Sequence, residues 1–395
     1  MAAANPIPDV NSASERKTAA LLVVAGVMDP EQLEQLAAVV AEGVGEQDVL
    51  IAAPDMPPVE SIHGIRLVAA AASTPSWILT ASDFVNASQL AADHEARGVL
   101  LLGQGAWGLR PEVIRAMAEA VLVNQTDLAV PWYDLPPRSG LMNSAILYPM
   151  TRALFASGVR FPLAVDLGMS ERMVQQLAIV GQRYAASNQP ETILWPTHEA
   201  VIAGCKTTEV EVGTRELPQP AQSDVNAILT QIAGSLFADI EAKAAHWQRS
   251  RPIPPPIQRA TTYAVSEPVD VTPMVEQFRS AYSNLQEIWS LVLPPQSLLG
   301  LKRLSIVDAA AFRMPDSLWV RIVYDFVVAY RLRTINRGHL LGALIPLYLA
   351  WVASHINLTA SGEDAETHVE AVASAFEVDK PYLVSRWRWP DRFNP

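Results

Sequence analysis

The sequence predicts an α/β protein with a mostly parallel sheet, followed by a C-terminal helical region. Three observations carry this. Short apolar runs alternate with helix-periodic segments from about residue 18 to 133, which is the β-α-β rhythm of a parallel sheet. A proline-rich stretch, "RPIPPPI" at 251–257, forbids helix and discourages sheet. Beyond it the pattern is mainly helical.

The elements read in order as follows. "TAALLVVAG" (18–26) is a strand and turn, and "DPEQLEQLAAVVAEGV" (29–44) a helix with Leu33, Leu36, Ala37 and Val40 on one face. Asp29 is its N-cap and Pro30 its first helical residue, a pairing that suits a helix start. "DVLIAAP" (48–54), "IRLVAAAA" (65–72), "GVLLLG" (98–103) and "DLAVPWY" (127–133) are further strands. "DFVNASQLAADHEA" (83–96) and "RPEVIRAMAEAVLVNQ" (110–125) are helices between them. Next come a loop, "DLPPRSGLMNS", a helix over 145–158, and a turn and helix over 160–184. "ETILWP" and "KTTEVEVG" read as strands, and 223–249 as one long helix with Asp224 near its start. Helices are expected at about 271–291, 316–336, 339–355 and 362–377. The expected organisation is a disordered lead-in (1–17), an α/β domain (18–250), a linker (251–264) and a helical region with a tail (265–395).

The chain has 395 residues, a formal net charge of -12 and one cysteine. That length supports a large core plus a second helical unit. One cysteine excludes a disulfide scaffold or a cysteine-built zinc site, and Cys205 reads as a small buried side chain. The acidic balance argues against nucleic acid as a partner. No charged-then-apolar leader stands at the N-terminus, so a cytoplasmic protein is expected. "LLGALIPLYLAWVA" (340–353) is interrupted by Pro346 and falls short of the ~20 residues that span a bilayer. It reads as a buried helix, with no membrane span. The apolarity of the C-terminal helices points to a homodimer.

Four stretches, in order, resemble a known family: "GVLLLGQGAWGLRPEVI", "ILYPMTRALFASGVRFPLAVDLGMS", "GTRELPQPAQSDVNAILTQIAGSLF" and "LWVRIVYDFVVAYRLRTINRGHLLGALIPLYLAWVAS". The chain is similar to bacterial GT-A glycosyltransferases of the glucosyl-3-phosphoglycerate synthase and mannosylglycerate synthase type, over about residues 18–355. The resemblance implies a GT-A-like, nucleotide-sugar-binding domain. It implies hexose transfer from a nucleotide sugar to a small acidic acceptor, with retention. It also implies a divalent metal, Mg or Mn, held by an Asp-x-Asp and a His, which neutralises the departing diphosphate.

The chain departs from that pattern where the chemistry lies. Gly103, Gln104 and Gly105 stand at the Asp-x-Asp, and Glu216 stands at the His. No replacement carboxylate pair occurs on a comparable loop, so no metal ligands are assigned and metal-dependent transfer is expected to be weak or absent. Asp364 and Glu366 have the spacing but read as part of a solvated helix. A metal-free transferase needs cations instead, and Lys206 and Arg215 are the nearest in sequence.

The remaining candidates each have a bland reading beside the functional one. Asp166 matches the Asp of a Gly-Gly-Asp turn, with Ala164 and Val165 in place of the glycines. It is the candidate catalytic residue, or else a buried capping Asp. Asp55 accepts from a uracil or ribose, or forms a turn before Pro57. The glycine-rich Gly103–Gly105 loop offers backbone N–H groups to a diphosphate, with Trp107 stacking on a ring or packing as core. Tyr133, Arg138, Tyr148 and Arg152 are the candidate substrate group; Arg138 sits in a loop where a guanidinium clamps a carboxylate or phosphate. Tyr148 and Arg152 share a helix face. His198 either lines a pocket or caps a surface turn. Asp325 needs a partner inside an apolar helix, and Arg321 lies one turn away. In the C-terminal "SRWRWPDRF" either the aromatic rings stack on a ligand, or Trp387 and Trp389 pack and the arginines stay in water. Two functions stay open: a divergent transferase, and a catalytically inactive homologue acting as a binding or scaffold protein.

Overall fold

The computed structural model describes residues 19–26, 28–45, 48–54, 61–71, 77–215, 225–254 and 269–390. Asp55, Glu216, Asp224 and most of the proline-rich linker lie outside them.

The first half is a mixed sheet. Its strands are β1 (Leu21–Ala25), β2 (Val49–Ala53), β3 (Ser61–Ile62), β4 (Ile65–Ala69), β5 (Gly98–Leu102), β6 (Leu128–Tyr133), β7 (Leu167–Ser170) and β8 (Thr207–Gly213). The order across the sheet is β3-β4-β2-β1-β5-β7-β6-β8. β1 pairs in parallel with β2 and β5, β2 with β4, and β6 with β8. β7 runs antiparallel between β5 and β6. The expected strand at 98–103 is therefore central, with all five residues buried.

Helices α1 (Pro30–Val44), α2 (Ala81–Asp93), α3 (Pro111–Leu122), α4 (Tyr148–Phe155), α5 (Glu171–Ala186), α6 (Pro196–Ile202), α7 (Val225–Ala242) and α8 (Ala244–Trp247) connect and cover the strands. Asp29 caps α1 as expected, its carboxylate accepting from the Gln32 N–H at 2.9 Å. α1 packs on α3, and α2 on α5. The helical region holds α9 (Thr272–Asn284), α10 (Gln286–Val292), α11 (Pro295–Leu304), α12 (Asp316–Leu332), α13 (Arg337–Ala360) and α14 (Ala365–Arg388). Its hydrophobic core also takes in α4 and α7, while a second core surrounds the sheet.

Several local expectations are corrected. "ETILWP" is not a strand: Ile193 makes one isolated bridge to Thr80, and Pro196 opens α6, where a missing N–H costs nothing. β7 replaces part of the expected turn; four residues around a glycine carry too little alternation to show as a strand. The long helix breaks at Lys243 into α7 and α8. α11 is a helix the periodicity did not single out. Pro346 does not interrupt α13, which runs 24 residues. By length and composition α13 can cross a membrane, but 83% of its apolar window is buried inside the protein. The apolar helical surface from which self-association is expected is thus taken up largely within one chain. Cys205 is half-buried rather than buried.

Polar expectations in the helices change too. Asp325 accepts from Arg386 at 3.0 Å and from Tyr382 at 2.8 Å, whereas Arg321 pairs with Asp379 at 3.0 Å. "SRWR" is the last turn of α14: Trp387 and Arg386 are buried, and Trp389 is exposed. The partner of Asp325 comes from another helix because a neighbour on the same helix is set at the surface.

Candidate functional site

In open α/β sheets, ligands bind beyond the carboxyl ends of the strands where the strand order reverses. Here the chain steps from β1 outward to β2 and returns to place β5 on the other side of β1. Gly103 follows β5, Arg215 lies two residues after β8, and Asp166 immediately precedes the antiparallel β7. Opposite strand directions therefore bring Asp166 to the same edge as Gly103 and Arg215.

These residues form a closed polar cluster. Asp166 is fully buried. Its carboxylate accepts from Arg215 Nε and Nη2, both at 3.0 Å, from the Tyr133 hydroxyl at 3.1 Å, and from the Gly103 N–H at 3.1 Å. Arg215 Nη2 also donates to the Gln104 carbonyl at 3.0 Å. Burial, then the neighbouring Asp166 charge, pushes the Tyr133 hydroxyl well above its ordinary range. Tyr133 therefore stays a protonated donor. The cluster joins β5, β6, β7 and β8 through one carboxylate, so Asp166 acts as an internal tie and not as an exposed acid or base.

Loop geometry reinforces this. A Cβ at Gly103 lies 2.9 Å from the Val165 Cβ and 3.0 Å from the Val165 carbonyl oxygen. Gly105 has φ +81°, and a Cβ there lies 2.8 Å from Arg215 Nη1. Side chains at either position meet Val165 or Arg215. The described residues at this edge do not fit the divalent metal that the resemblance implies. Among the described residues, no group of three or more His, Cys, Asp or Glu side chains is placed to hold a metal ion. Gln104 is exposed, and Trp107 packs half-buried against the core of the sheet.

Lys206 is at the opposite edge of the sheet, ahead of β8, where its ammonium donates to the Asn124 carbonyl at 2.9 Å. Only Arg215 of the two expected cations stands at the carboxyl edge.

The four substrate candidates do not form one group. Tyr133 belongs to the Asp166 cluster. Arg138 is half-buried in the loop after β6. Tyr148 and Arg152 face α14 instead: the Tyr148 hydroxyl donates to Glu370 at 2.6 Å, and Arg152 pairs with Glu370 and, at 3.0 Å, with Glu377. They fasten α4 to α14, while Arg152 Nε is buried without a hydrogen-bond partner.

His198 neither lines a surface turn nor stands exposed in a pocket. It is fully buried between the Thr151 hydroxyl at 2.9 Å and Asp239 at 2.7 Å. Burial lowers its pKa, against the opposing pull of Asp239. Glu366 is not simply solvated: both its oxygens accept from Arg160, at 3.0 and 2.9 Å. Arg160 is the residue that sequence reasoning passed over, although it stands inside the stretch that carried the resemblance.

No family model matches the chain, and no curated protein matches it. Among solved structures, complexes of glucosyl-3-phosphoglycerate synthase from Mycobacterium tuberculosis are similar. The complex with phosphoglyceric acid is 12% identical with a TM-score of 0.35, over 56% of this chain and 79% of that one. The complex with Mn2+, UDP-glucose and phosphoglyceric acid is 13% identical with a TM-score of 0.36, over the same shares. The likeness is distant and assigns no active-site residue.

Proposed function

We propose that the protein is a catalytically silent relative of the nucleotide-sugar glycosyltransferases, serving as a ligand-binding or scaffold protein. One observation carries the reading: the Asp166 carboxylate is wholly engaged by Arg215, Tyr133 and Gly103. Enzymes commonly draw most of their rate enhancement from fixed groups that stabilise charge as it develops. At this edge the cation and the anion neutralise each other.

A second reading is supported by the place of Arg215. Its guanidinium touches the loop after β5, where a fixed cation can face a diphosphate. A divergent, metal-free hexose transfer to a small acidic acceptor then requires Arg215 to leave Asp166.

Incubation with UDP-glucose or GDP-mannose and phosphoglyceric acid, with and without Mn2+, tests both readings. Neither transfer nor sugar-nucleotide hydrolysis is expected. Mn2+-dependent turnover overturns the silent reading. Metal-independent turnover that is lost in an Arg215→Ala protein still folded by circular dichroism establishes the second. Calorimetric titration of both sugar nucleotides into wild type and Trp107→Ala shows whether nucleotide binding survives apart from chemistry.

A further inference from the structure

Two cavities lie side by side near the loop after β6. The larger, about 150 Å³, is mainly apolar, with Trp77, Met142, Leu163, Val165 and Ile228 among its walls. A cavity of about that size takes up a benzene ring. The smaller, about 30 Å³, has mixed walls, with Ser144, Arg160, His355 and Glu366 facing apolar groups such as Trp132 and Val369. Tyr133, Leu135 and Phe161 line both.

Arg160 gives the pair its meaning. The residue is 6% exposed. Its Nε and Nη2 donate to Glu366, and Nη2 donates also to Ser144 Oγ at 3.0 Å. Its Nη1 is buried with no hydrogen-bond partner. Leaving a charged donor unmatched costs more than leaving a neutral one. The side chain is held firmly: the guanidinium lies 5.2 Å from the Tyr148 ring centroid and 5.0 Å from that of Phe161. The Asn143 amide donates to the Arg160 carbonyl at 2.8 Å. Asn143 and Ser144 belong to a π-helical turn, Asn143–Leu147, a local irregularity often kept at functional sites. Asn143 lines the larger cavity and Ser144 the smaller.

We propose that the two cavities form one binding site for an apolar carboxylate, a molecule with a single ring or short aliphatic chain and one anionic head. The body occupies the larger cavity, and the carboxylate accepts from Arg160 Nη1. Glu366 already faces the other edge of the guanidinium, so Arg160 bridges two carboxylates. Arg152 does the same with Glu370 and Glu377. A sugar is disfavoured because the larger cavity offers its hydroxyls few partners, and unmatched polar groups are strongly selected against. The inference rests on the binding-protein reading and names the ligand class for that role.

Calorimetry on the full chain tests it, using phenylacetate against its neutral isostere phenylacetamide. Phenylacetate is expected to bind saturably, at least tenfold tighter than the amide. Arg160→Gln is expected to remove that preference while keeping the affinity for the amide. Ile228→Trp, which fills the apolar cavity away from Arg160, is expected to abolish binding of both. Equal affinities in the wild-type protein, which needs no variant to fold, mean that Nη1 is satisfied by water alone and overturn the proposal. Absence of saturable phenylacetate binding overturns it too, while leaving the catalytically silent reading intact. Sugar-nucleotide turnover overturns that reading separately.

Discussion

Arg215 lies across Asp166 with Nε and Nη2 each 3.0 Å from a carboxylate oxygen, and both side chains are sealed from solvent. The pair closes the edge of the sheet where a ligand is normally received.

Breaking this pair from one side is expected to be costly. Asp166→Ala leaves the Arg215 charge buried and unmatched, a loss of about 3–5 kcal/mol by general experience with such pairs. The double variant Asp166→Leu/Arg215→Met is expected to recover most of it. Urea denaturation of the three proteins measures the difference. Equal stability of the single and double variants contradicts the assignment of the pair as a buried tie.

Restoring two carboxylates to the loop is expected not to restore a metal site. Gly103→Asp drives its Cβ into Val165, and Gly105→Asp combines positive φ with a clash against Arg215. The double variant is expected to lose about 1–3 kcal/mol from overpacking and to bind no Mn2+ in an electron paramagnetic resonance titration. Adding Val165→Gly and Arg215→Ala removes the side-chain clashes but leaves the Val165 carbonyl oxygen 3.0 Å from a Cβ at 103 and the positive φ at 105. Mn2+ binding by the first double variant alone shows that the loop keeps a ligand-ready geometry.

Arg152→Ala is expected to loosen α14 from α4. It removes the cation shared by Glu370 and Glu377, leaving Glu370 the Tyr148 hydroxyl, and costs about 3 kcal/mol. Hydrogen exchange reads the effect locally: amides of α14 exchange faster, while those of β1 and β5 change only with global stability. Uniform acceleration across the chain argues against a local fastening role.

Acid is expected to destabilise the helical region through His355. Burial, then the neighbouring His368, lowers its pKa from 6.5 to about 4, although the Pro137 carbonyl beside it opposes the shift. The folded state therefore binds its proton less readily than the unfolded state does. The contribution is present above the unfolded value near 6.5 and is lost as pH falls toward 4, on the order of 3 kcal/mol in all. Asp325 works oppositely. Burial raises its pKa to about 6 against the pull of Arg386, so its contribution is present below 3.8 and lost as pH rises through 6. Stability curves of wild type and His355→Gln between pH 7 and 4 separate the two. A parallel decline in both proteins removes His355 as the cause.

Much of the fold was legible because its signals are local. The capped start of α1 and the apolar strands at 21–25, 49–53 and 98–102 follow from neighbouring residues alone. β7 was not legible: its four residues become a strand only between β5 and β6. Pro346 shows the opposite failure, since packing on every side of α13 overrides one lost backbone hydrogen bond.

For the candidate site the division is sharper. The sequence by itself determined which groups are absent: glycines at 103 and 105 carry no carboxylate, whatever the fold. It also marked Asp166 as a catalytic or buried capping residue and Arg215 as a cation that could stand in for the metal. Only the tertiary structure decided that they meet, 49 residues apart, and that Arg152 meets Glu370 across 218. The reason is physical. A charge in an apolar core must be matched, but residue type fixes only the need. Which distant group answers it depends on strand order and helix packing, which place opposite charges within reach while excluding water.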